Sequence, residues 1–442
     1  MNIQLPWKDS ILDLKVPDTW TLVFPEPARV TVRQEKSEVT IVDAAMKKPV
    51  GTKPIHMSQL ANKKIVIVVD DNTRPTPAYR FFHLILDALK AAGVTLDNIV
   101  IISALGIHTP MTETDMAGKI GEENQAALRW ENHNAFDDTA NAFFGETSRG
   151  TPVYLNRHLK TADYIVLVGL IEPHLMAGFG GGLKNILPGL ASAETIGKHH
   201  EILSEPPYRA NRVGMPPDYN SFRRDLEEVK EMIDAEVFCI NVVLDKAHTI
   251  TACFTGDPVQ AHRQGVAYNA ANFGLNLSAR VDGIITNAFP MTTNFKQSMK
   301  CVGNALPALK PGGAVMGFLQ ADKGMDDIAM PESSPLPLGM VKMILRLIGP
   351  SRVYGFLNRV KKNVDIEEKF LYYYTLQLIR QYDVYLYVPT LTPEEIKALF
   401  FFKGFTSDPQ AVIQQGIRKI GKRATVAVFP EGGATFPVLK NE

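Results

Sequence analysis

Cysteine is scarce in this chain. Cys239, Cys253 and Cys301 are the only three, and none forms a CxxC pair. An odd number without that spacing argues against a disulfide framework and against a structural zinc site. Net charge is missing too. Lysine plus arginine and aspartate plus glutamate number 47 each, a balance that gives no general attraction to nucleic acid or anionic lipid. The opening MNIQLPWKDSILDLK lacks the basic-then-apolar order of a signal peptide. No apolar run approaches the ~20 residues needed to span a bilayer. HExxH, GxSxG and EF-hand patterns do not occur, so zincin, serine-hydrolase and calcium-binding readings lose their main support. Neither an internal repeat nor a low-complexity segment is present. These absences predict a soluble, cytoplasmic protein with no nucleic-acid or membrane partner.

What is present is the material of an α/β protein. A chain of 442 residues is too long for one ordinary core, so two domains are expected. Continuously apolar, β-branched runs occur at Ile65–Val69, Ile99–Ile102, Tyr164–Val168, Val237–Leu244, Val281–Thr286, Tyr382–Val388 and Ala424–Phe429. Runs without polar alternation predict strands buried on both faces, as in a parallel sheet. Helical patterns such as Ala78–Ala92 and Phe222–Ala235 lie between them, which gives alternating α/β units. The composition shift near 270–280 places an N-terminal α/β domain at 1–275 and a C-terminal one at 276–414. The segment 415–442 is expected to return to the first domain. The proline cluster PESSPLP at 331–337 reads as a surface loop.

Several of the strands run straight into polar loops. IVIVV leads to DDNTRPTP, IVIISALG to IHTPMT, YIVLVGL to IEPHLMAGFGGGLKN and GIITNAF to PMTTNFKQSMK. Ligands of open α/β sheets bind beyond the carboxyl ends of the strands. The loops are therefore a candidate site, expected in the cleft between the two domains. The glycine run fails the P-loop signature, since Gly182 is followed by Leu183, Lys184 and Asn185. Its backbone amides from Phe179 to Gly182 suit an anion-binding concavity, and a tight structural turn suits the same glycines. Lys184 precedes the apolar ILPG; a lysine held against apolar surface is a nucleophile or covalent anchor, whereas a solvated lysine is the commoner case. Asp71 and Thr73 form either a ligand-binding turn or a plain Asx turn, and Arg74 suits capture of a carboxylate or phosphate. His108, His174 and the pair His199–His200 offer acid/base groups or metal ligands.

Taken together, DDNTRPTP (70–77), ALGIHTPMT (104–112), EPHLMAGFGGGLKNILPG (172–189), ETIGKHH (194–200) and NFKQSMK (294–300) resemble the nickel-dependent lactate racemase family of 2-hydroxy-acid racemases and epimerases. The third segment is long enough to be highly specific. The resemblance implies a nickel pincer nucleotide, pyridinium-3-thioamide-5-thiocarboxylic acid mononucleotide, covalently attached to Lys184, with His200 as the protein's ligand to nickel. It implies that Asp71, Thr73, Gly178, Gly180, Gly181 and Gly182 hold the cofactor. His108 and His174 match the acid/base pair, Arg74 the substrate-carboxylate clamp, and Gln297 and Lys300 the substrate side. The implied reaction is reversible hydride transfer through a 2-keto acid. The implied partners are a small 2-hydroxy acid and the enzymes that build the cofactor.

Three positions depart from the family's pattern. Lys296 stands where tyrosine is common, Thr292 where aspartate is common, and VGMPPDYNSFRRD (213–225) replaces a glycine-asparagine-proline pattern. These departures predict a substrate larger or more polar than lactate, such as malate or a sugar acid. A non-catalytic carrier of the cofactor is the alternative of a different class.

Overall fold

The computed structural model describes residues 1–27, 36–204, 213–245, 247–325, 336–360, 375–399 and 401–439. Two compact units emerge. The N-terminal unit is Thr31–Leu203 with Met215–Asn269, and the C-terminal unit is Met1–Val30, Ser204–Gly214 and Ala270–Glu442.

The N-terminal unit is built on six strands: β1 (Ile65–Asp70), β2 (Ile99–Ala104), β3 (Arg129–Asn132), β4 (Tyr164–Leu170), β5 (Glu236–Leu244) and β6 (Ile250–Gly256). Their order is β6-β5-β4-β1-β2-β3, and every neighbouring pair is parallel except β5–β6. All residues of β1 and β4 are buried, the physical reason for their unbroken apolar runs. The helix Phe82–Ala91 covers one face with Phe82, Ile85 and Leu89. It starts one turn later than the apolar pattern suggests, because Pro77 precedes a 3-10 turn at Ala78–Arg80. The expected helix at 222–235 is α-helical only over Ser221–Glu227 and then tightens to a 3-10 turn, Glu228–Met232.

Register places the site. Val69 of β1 pairs with Val168 of β4 and Ser103 of β2, so these strands end at one level. The loops 71–77, 105–111 and 171–182 therefore leave from the same edge of the sheet.

In the C-terminal unit, β7 (Val281–Asn287), β8 (Leu309–Phe318), β9 (Asp383–Tyr387), β10 (Lys403–Phe405) and β11 (Thr425–Phe429) join the strand Thr21–Val23. The order is β10-β9-β8-β7-β11-(Thr21–Val23), parallel throughout. Here the expected domain arrangement needs correction. The segment 415–442 does not return to the N-terminal unit: β11 pairs with β7 and Phe436–Leu439 pairs with Gly274–Leu277. Residues 1–27 also belong here. Ile3, Leu5, Leu14 and Trp20 bury the apolar face of the first hairpin with Val412 and Ile413, and the Trp20 indole donates to the Gly421 carbonyl at 2.9 Å. Local patterning marks a face as apolar but does not say which unit it covers. Of the proline cluster at 331–337, Leu336 and Pro337 are exposed and 331–335 lie outside the described residues.

Among the described residues no helix is long and apolar enough to cross a membrane.

Candidate functional site

The loop after β1 is fixed from beneath by a buried cation. Lys119, on the helix Glu113–Ile120, donates to Asp70 Oδ1 at 3.0 Å, to the Asp71 carbonyl at 3.0 Å and to the Arg74 carbonyl at 2.9 Å. All three ammonium hydrogens are thus committed. Thr76 donates to the other oxygen of Asp70. Burial nevertheless outweighs the Lys119 charge and raises the Asp70 carboxyl above its usual range.

On that support, Asp71 faces the site. Its Oδ1 accepts from the Thr73 amide at 2.9 Å and the Thr73 hydroxyl at 2.5 Å, and its Oδ2 lies 2.6 Å from His108 Nδ1. Burial alone would raise this carboxyl; the bonds from His108 and Thr73, with the Arg74 charge, outweigh it and hold it at about 2. An ionised carboxylate can only accept, so His108 carries its proton on Nδ1 and, when neutral, presents a lone pair at Nε2. One oxygen of Asp71 thus closes the Asx turn with Thr73 while the other holds His108.

His174 is oriented in the opposite sense. Its Nδ1 accepts from the amides of Met176 and Ala177, each at 3.2 Å, which puts the proton of the neutral ring on Nε2. The strand-like pairing of Pro173–His174 with Gly178–Phe179 sets this turn. Arg74 reaches the same loop, with Nη1 3.2 Å from Glu172 Oε1 and both side chains mostly buried. The expected carboxylate clamp thus already holds a carboxylate of the protein.

The glycine run serves close packing. A Cβ on Gly178 would lie 2.4 Å from the Met215 carbonyl, and one on Gly181 2.9 Å from Asn241 Oδ1; both glycines have positive φ. Three buried polar side chains hold the run. Asn241 accepts from the Gly182 amide at 2.9 Å, His262 Nε2 donates to the Gly180 carbonyl at 2.9 Å, and Arg223 donates to the carbonyls of Phe179 and Gly181. The Gly180 amide donates to the Glu172 carbonyl at 2.7 Å. The amides of Gly180 and Gly182 are therefore spent inside the protein, which narrows the anion cradle expected of them.

Lys184 follows on a 3-10 turn, Gly182–Asn185, tied to the end of β4 by Asn185 Nδ2 donating to the Val168 carbonyl at 2.8 Å. The Lys184 side chain keeps a partial opening to solvent. Its Nζ makes no hydrogen bond or ion pair with a described residue. Desolvation, followed by the Arg74 and Arg223 charges, pushes its ammonium well below the ordinary lysine range.

The two histidines of KHH differ sharply. His199 is fully buried, its Nδ1 2.7 Å from Asp225 Oδ2, and Asp225 also accepts from Thr147 and Thr151. His200 is partly open and donates from Nδ1 to the Ile196 carbonyl at 2.7 Å, which leaves Nε2 unprotonated in the neutral ring. Burial, then the charges of His199 and Lys184, lowers its pKa to about 3. Neutral imidazole is the form that binds a metal.

Gln297 and Lys300 lie in the C-terminal unit. Gln297 is on the short helix Phe295–Ser298, capped by Asn294, and Lys300 opens the helix Lys300–Ala305. Lys296 is exposed. The residues that sequence reasoning missed are Lys119, Glu172, Arg223, Asn241 and His262. Asn241 alone had a visible signal, a lone amide within the apolar run FCINVVL.

Residues 7–211 match the lactate racemase N-terminal domain. The lactate racemase of Thermoanaerobacterium thermosaccharolyticum is 30% identical over 319 residues, 71% of this chain and 73% of that protein. The chain belongs to the lactate racemase family. It is accordingly an isomerase. The lactate racemase of Lactiplantibacillus plantarum is 30% identical over 330 residues, covering 73% of this chain and 75% of its own length. The lactate racemase apoprotein structure from T. thermosaccharolyticum superposes with a TM-score of 0.80 at 25% identity, covering 99% of this chain and 100% of that one. A Thermotoga maritima protein of known structure shares the fold, with a TM-score of 0.60 at 18% identity, covering 91% and 98%.

Proposed function

We propose that this family member racemises or epimerises a 2-hydroxy carboxylic acid and uses a nickel pincer nucleotide held by Lys184 and His200. The observation that carries this reading is the state of Lys184: a desolvated amine without a hydrogen-bond partner among the described residues, close enough to affect His200 electrostatically. A neutral amine is the nucleophile that forming a thioamide requires. His200 fits as metal ligand because its Nδ1 proton is committed to Ile196, which orients the ring and leaves Nε2 as donor. Among the described residues no group of three or more His, Cys, Asp or Glu is gathered around a common point. One imidazole together with soft sulfur donors from a cofactor suits square-planar nickel.

When bound, the group would supply a reversible hydride acceptor, taking the substrate through a 2-keto acid. The protein's part is proton handling and orientation. His108 Nε2 takes the hydroxyl proton, and Asp71 stabilises the resulting imidazolium. His174, its Nδ1 held by two amides, would donate an Nε2–H hydrogen bond to the substrate oxygen, and the proton held on His108 would return to that oxygen as the carbinol carbon is re-formed with inverted configuration. Arg74 binds the substrate carboxylate in place of Glu172 and so fixes its orientation. For Gln297 and Lys300 the family resemblance implies substrate-side roles. A carrier of the cofactor would need only Lys184 and His200, so the oriented His108–Asp71 pair favours catalysis.

The test is to make the protein alongside the cofactor-building enzymes, measure intact mass and nickel, and assay lactate, malate, 2-hydroxyglutarate and gluconate as single enantiomers. Nickel, a mass adduct on Lys184 and loss of optical purity in at least one acid are expected. An adduct on another residue, or a loaded protein that leaves all four unchanged, overturns the reading.

A further inference from the structure

The C-terminal unit carries a surface that solvent does not explain. The helices Leu338–Ile348 and Pro350–Val360 are joined at Gly349, which has a φ of 89°. Each turns one face to the core: Val341 and Leu345 from the first, Val353 and Leu357 from the second. The opposite faces should then be polar. They are not. Leu336, Met340, Met343, Leu347 and Ile348 are exposed on and beside the first helix, Leu347 to 78%. Phe356 and Val360, at 65% and 63%, are exposed on the second. These seven are among the 17 exposed large hydrophobic side chains of the described residues, so the apolar surface is concentrated within 25 residues.

The charge around it has one sign. Between Glu332 and Asp365 the sequence has no aspartate or glutamate but six basic residues: Lys342, Arg346, Arg352, Arg359, Lys361 and Lys362. Lys342 turns inward to Asp383. Arg346, Arg352 and Arg359 are exposed and form no ion pair with a described residue. On the second helix, Arg352, Phe356 and Arg359 recur at spacings of four and three, so arginine and phenylalanine share one outward stripe. The chain as a whole is neutral, which makes this a local feature.

We propose that this helical hairpin lies flat on anionic phospholipid, with its Leu, Met, Ile and Phe side chains in the headgroup–acyl boundary and its arginines on lipid phosphates. Exposed large apolar side chains bordered by arginine are the features of an interfacial helix. Each helix has 11 residues, about half the length needed to span a bilayer, so the hairpin rests on the surface and does not cross. A second copy of the chain fits less well. An isologous contact would set this patch against itself and bring arginines face to face with no carboxylate in the segment to offset them. The hairpin's acid-free surface calls for a partner that supplies negative charge over an extended apolar layer.

Vesicle flotation tests the proposal directly on the full-length protein. Vesicles of phosphatidylcholine alone are compared with vesicles in which part is replaced by phosphatidylglycerol, at low and high salt. Binding is expected only to the anionic vesicles and should weaken with salt. Replacing all three of Arg346, Arg352 and Arg359 by glutamine should weaken it by roughly 10²-fold, at about fivefold per basic residue. Leu347→Glu and Phe356→Glu should abolish it, and both replace outward side chains, so circular dichroism and thermal unfolding should match wild type. Absence of binding to anionic vesicles, or equal salt-insensitive binding to phosphatidylcholine, overturns the proposal. So does concentration-dependent self-association that the same substitutions remove, since the face would then meet another copy.

Discussion

His108 Nδ1 lies 2.6 Å from Asp71 Oδ2, and the other oxygen of the same carboxylate accepts from Thr73. One side chain therefore sets both the loop after β1 and the tautomer of the candidate base. Asp71→Asn keeps the shape but weakens the hold on the ring. Turnover should fall by at least ~10²-fold, the usual scale for a positioned acid/base, while the Lys184 adduct and nickel are retained. Loss of nickel in this variant would place Asp71 chiefly with the cofactor.

The same carboxylate gives a prediction in acid. Its folded pKa of about 2 lies below the ordinary aspartate value of 3.8, so its stabilisation is present above pH ~4 and is lost as the pH falls toward 2. The depression corresponds to ~2 kcal/mol. Urea unfolding of wild type and Asp71→Asn at pH values from 5 to 2 should show a shallower acid decline in the variant. Parallel curves would mean that other carboxylates govern the acid limb.

Beneath the loop, Lys119→Met removes the cation from Asp70 and leaves two carbonyls without their donor. Breaking a buried pair in this way costs about 3–5 kcal/mol. Chemical denaturation should show a loss of that size, with reduced substrate affinity because Arg74 loses its backbone support. A loss below ~1 kcal/mol would show that water replaces the ammonium without strain.

Much of this was legible in the sequence, for a definite reason. Ile65–Val69, Tyr164–Val168 and their like are buried on both faces, and such burial writes itself as unbroken apolar runs. Strand ends and their loops followed, so the loops that carry Asp71, Arg74, His108, His174 and Lys184 were expected to leave from strand ends, and β1, β2 and β4 do end at one level. What stayed hidden depends on distant contacts. Lys119 reads as an ordinary solvated lysine on a helix, and only the fold sets it under Asp70. Arg223 and His262 hold the glycine run from segments 40 to 80 residues away, as their bonds to Gly181 and Gly180 show. Thr425–Phe429 forms a strand as expected, yet nothing local indicates which sheet it joins.

Lys184 should be chemically distinctive before any cofactor arrives. Its amine is desolvated and repelled by Arg74 and Arg223, so more of it is neutral near pH 7 than of a surface lysine. Limited labelling of apoprotein with a small amine-reactive reagent, followed by peptide mapping, should find Lys184 modified ahead of exposed lysines such as Lys47 or Lys63. Lys184→Ala should lose both the adduct and activity. Unreactive Lys184 would show that access, and not protonation, limits its chemistry.

The adjacent histidines should separate metal binding from stability. His200→Ala should lose nickel sharply and leave folding nearly unchanged. His199→Ala should retain nickel but lose roughly 3–5 kcal/mol, because Asp225 stays buried without its ring partner. Nickel content by elemental analysis and urea midpoints distinguish the two. A reversed pattern would assign the metal to His199.

The Arg74–Glu172 pair makes the last prediction. If Arg74 takes the substrate carboxylate, Glu172 competes for it in the resting protein, since Nη1 already lies 3.2 Å from Oε1. Glu172→Gln removes the competing charge while keeping a polar acceptor. KM for the preferred 2-hydroxy acid should fall several-fold, as expected when an exchange between two carboxylates becomes a simple gain. Arg74→Lys should raise KM, because an ammonium lacks the planar fork that matches a carboxylate. The backbone carbonyl of Glu172, which accepts from the Gly180 amide, is untouched by either change, so the glycine run should hold its shape. A raised KM in Glu172→Gln would instead make Glu172 a positioning residue that keeps Arg74 in place for the substrate.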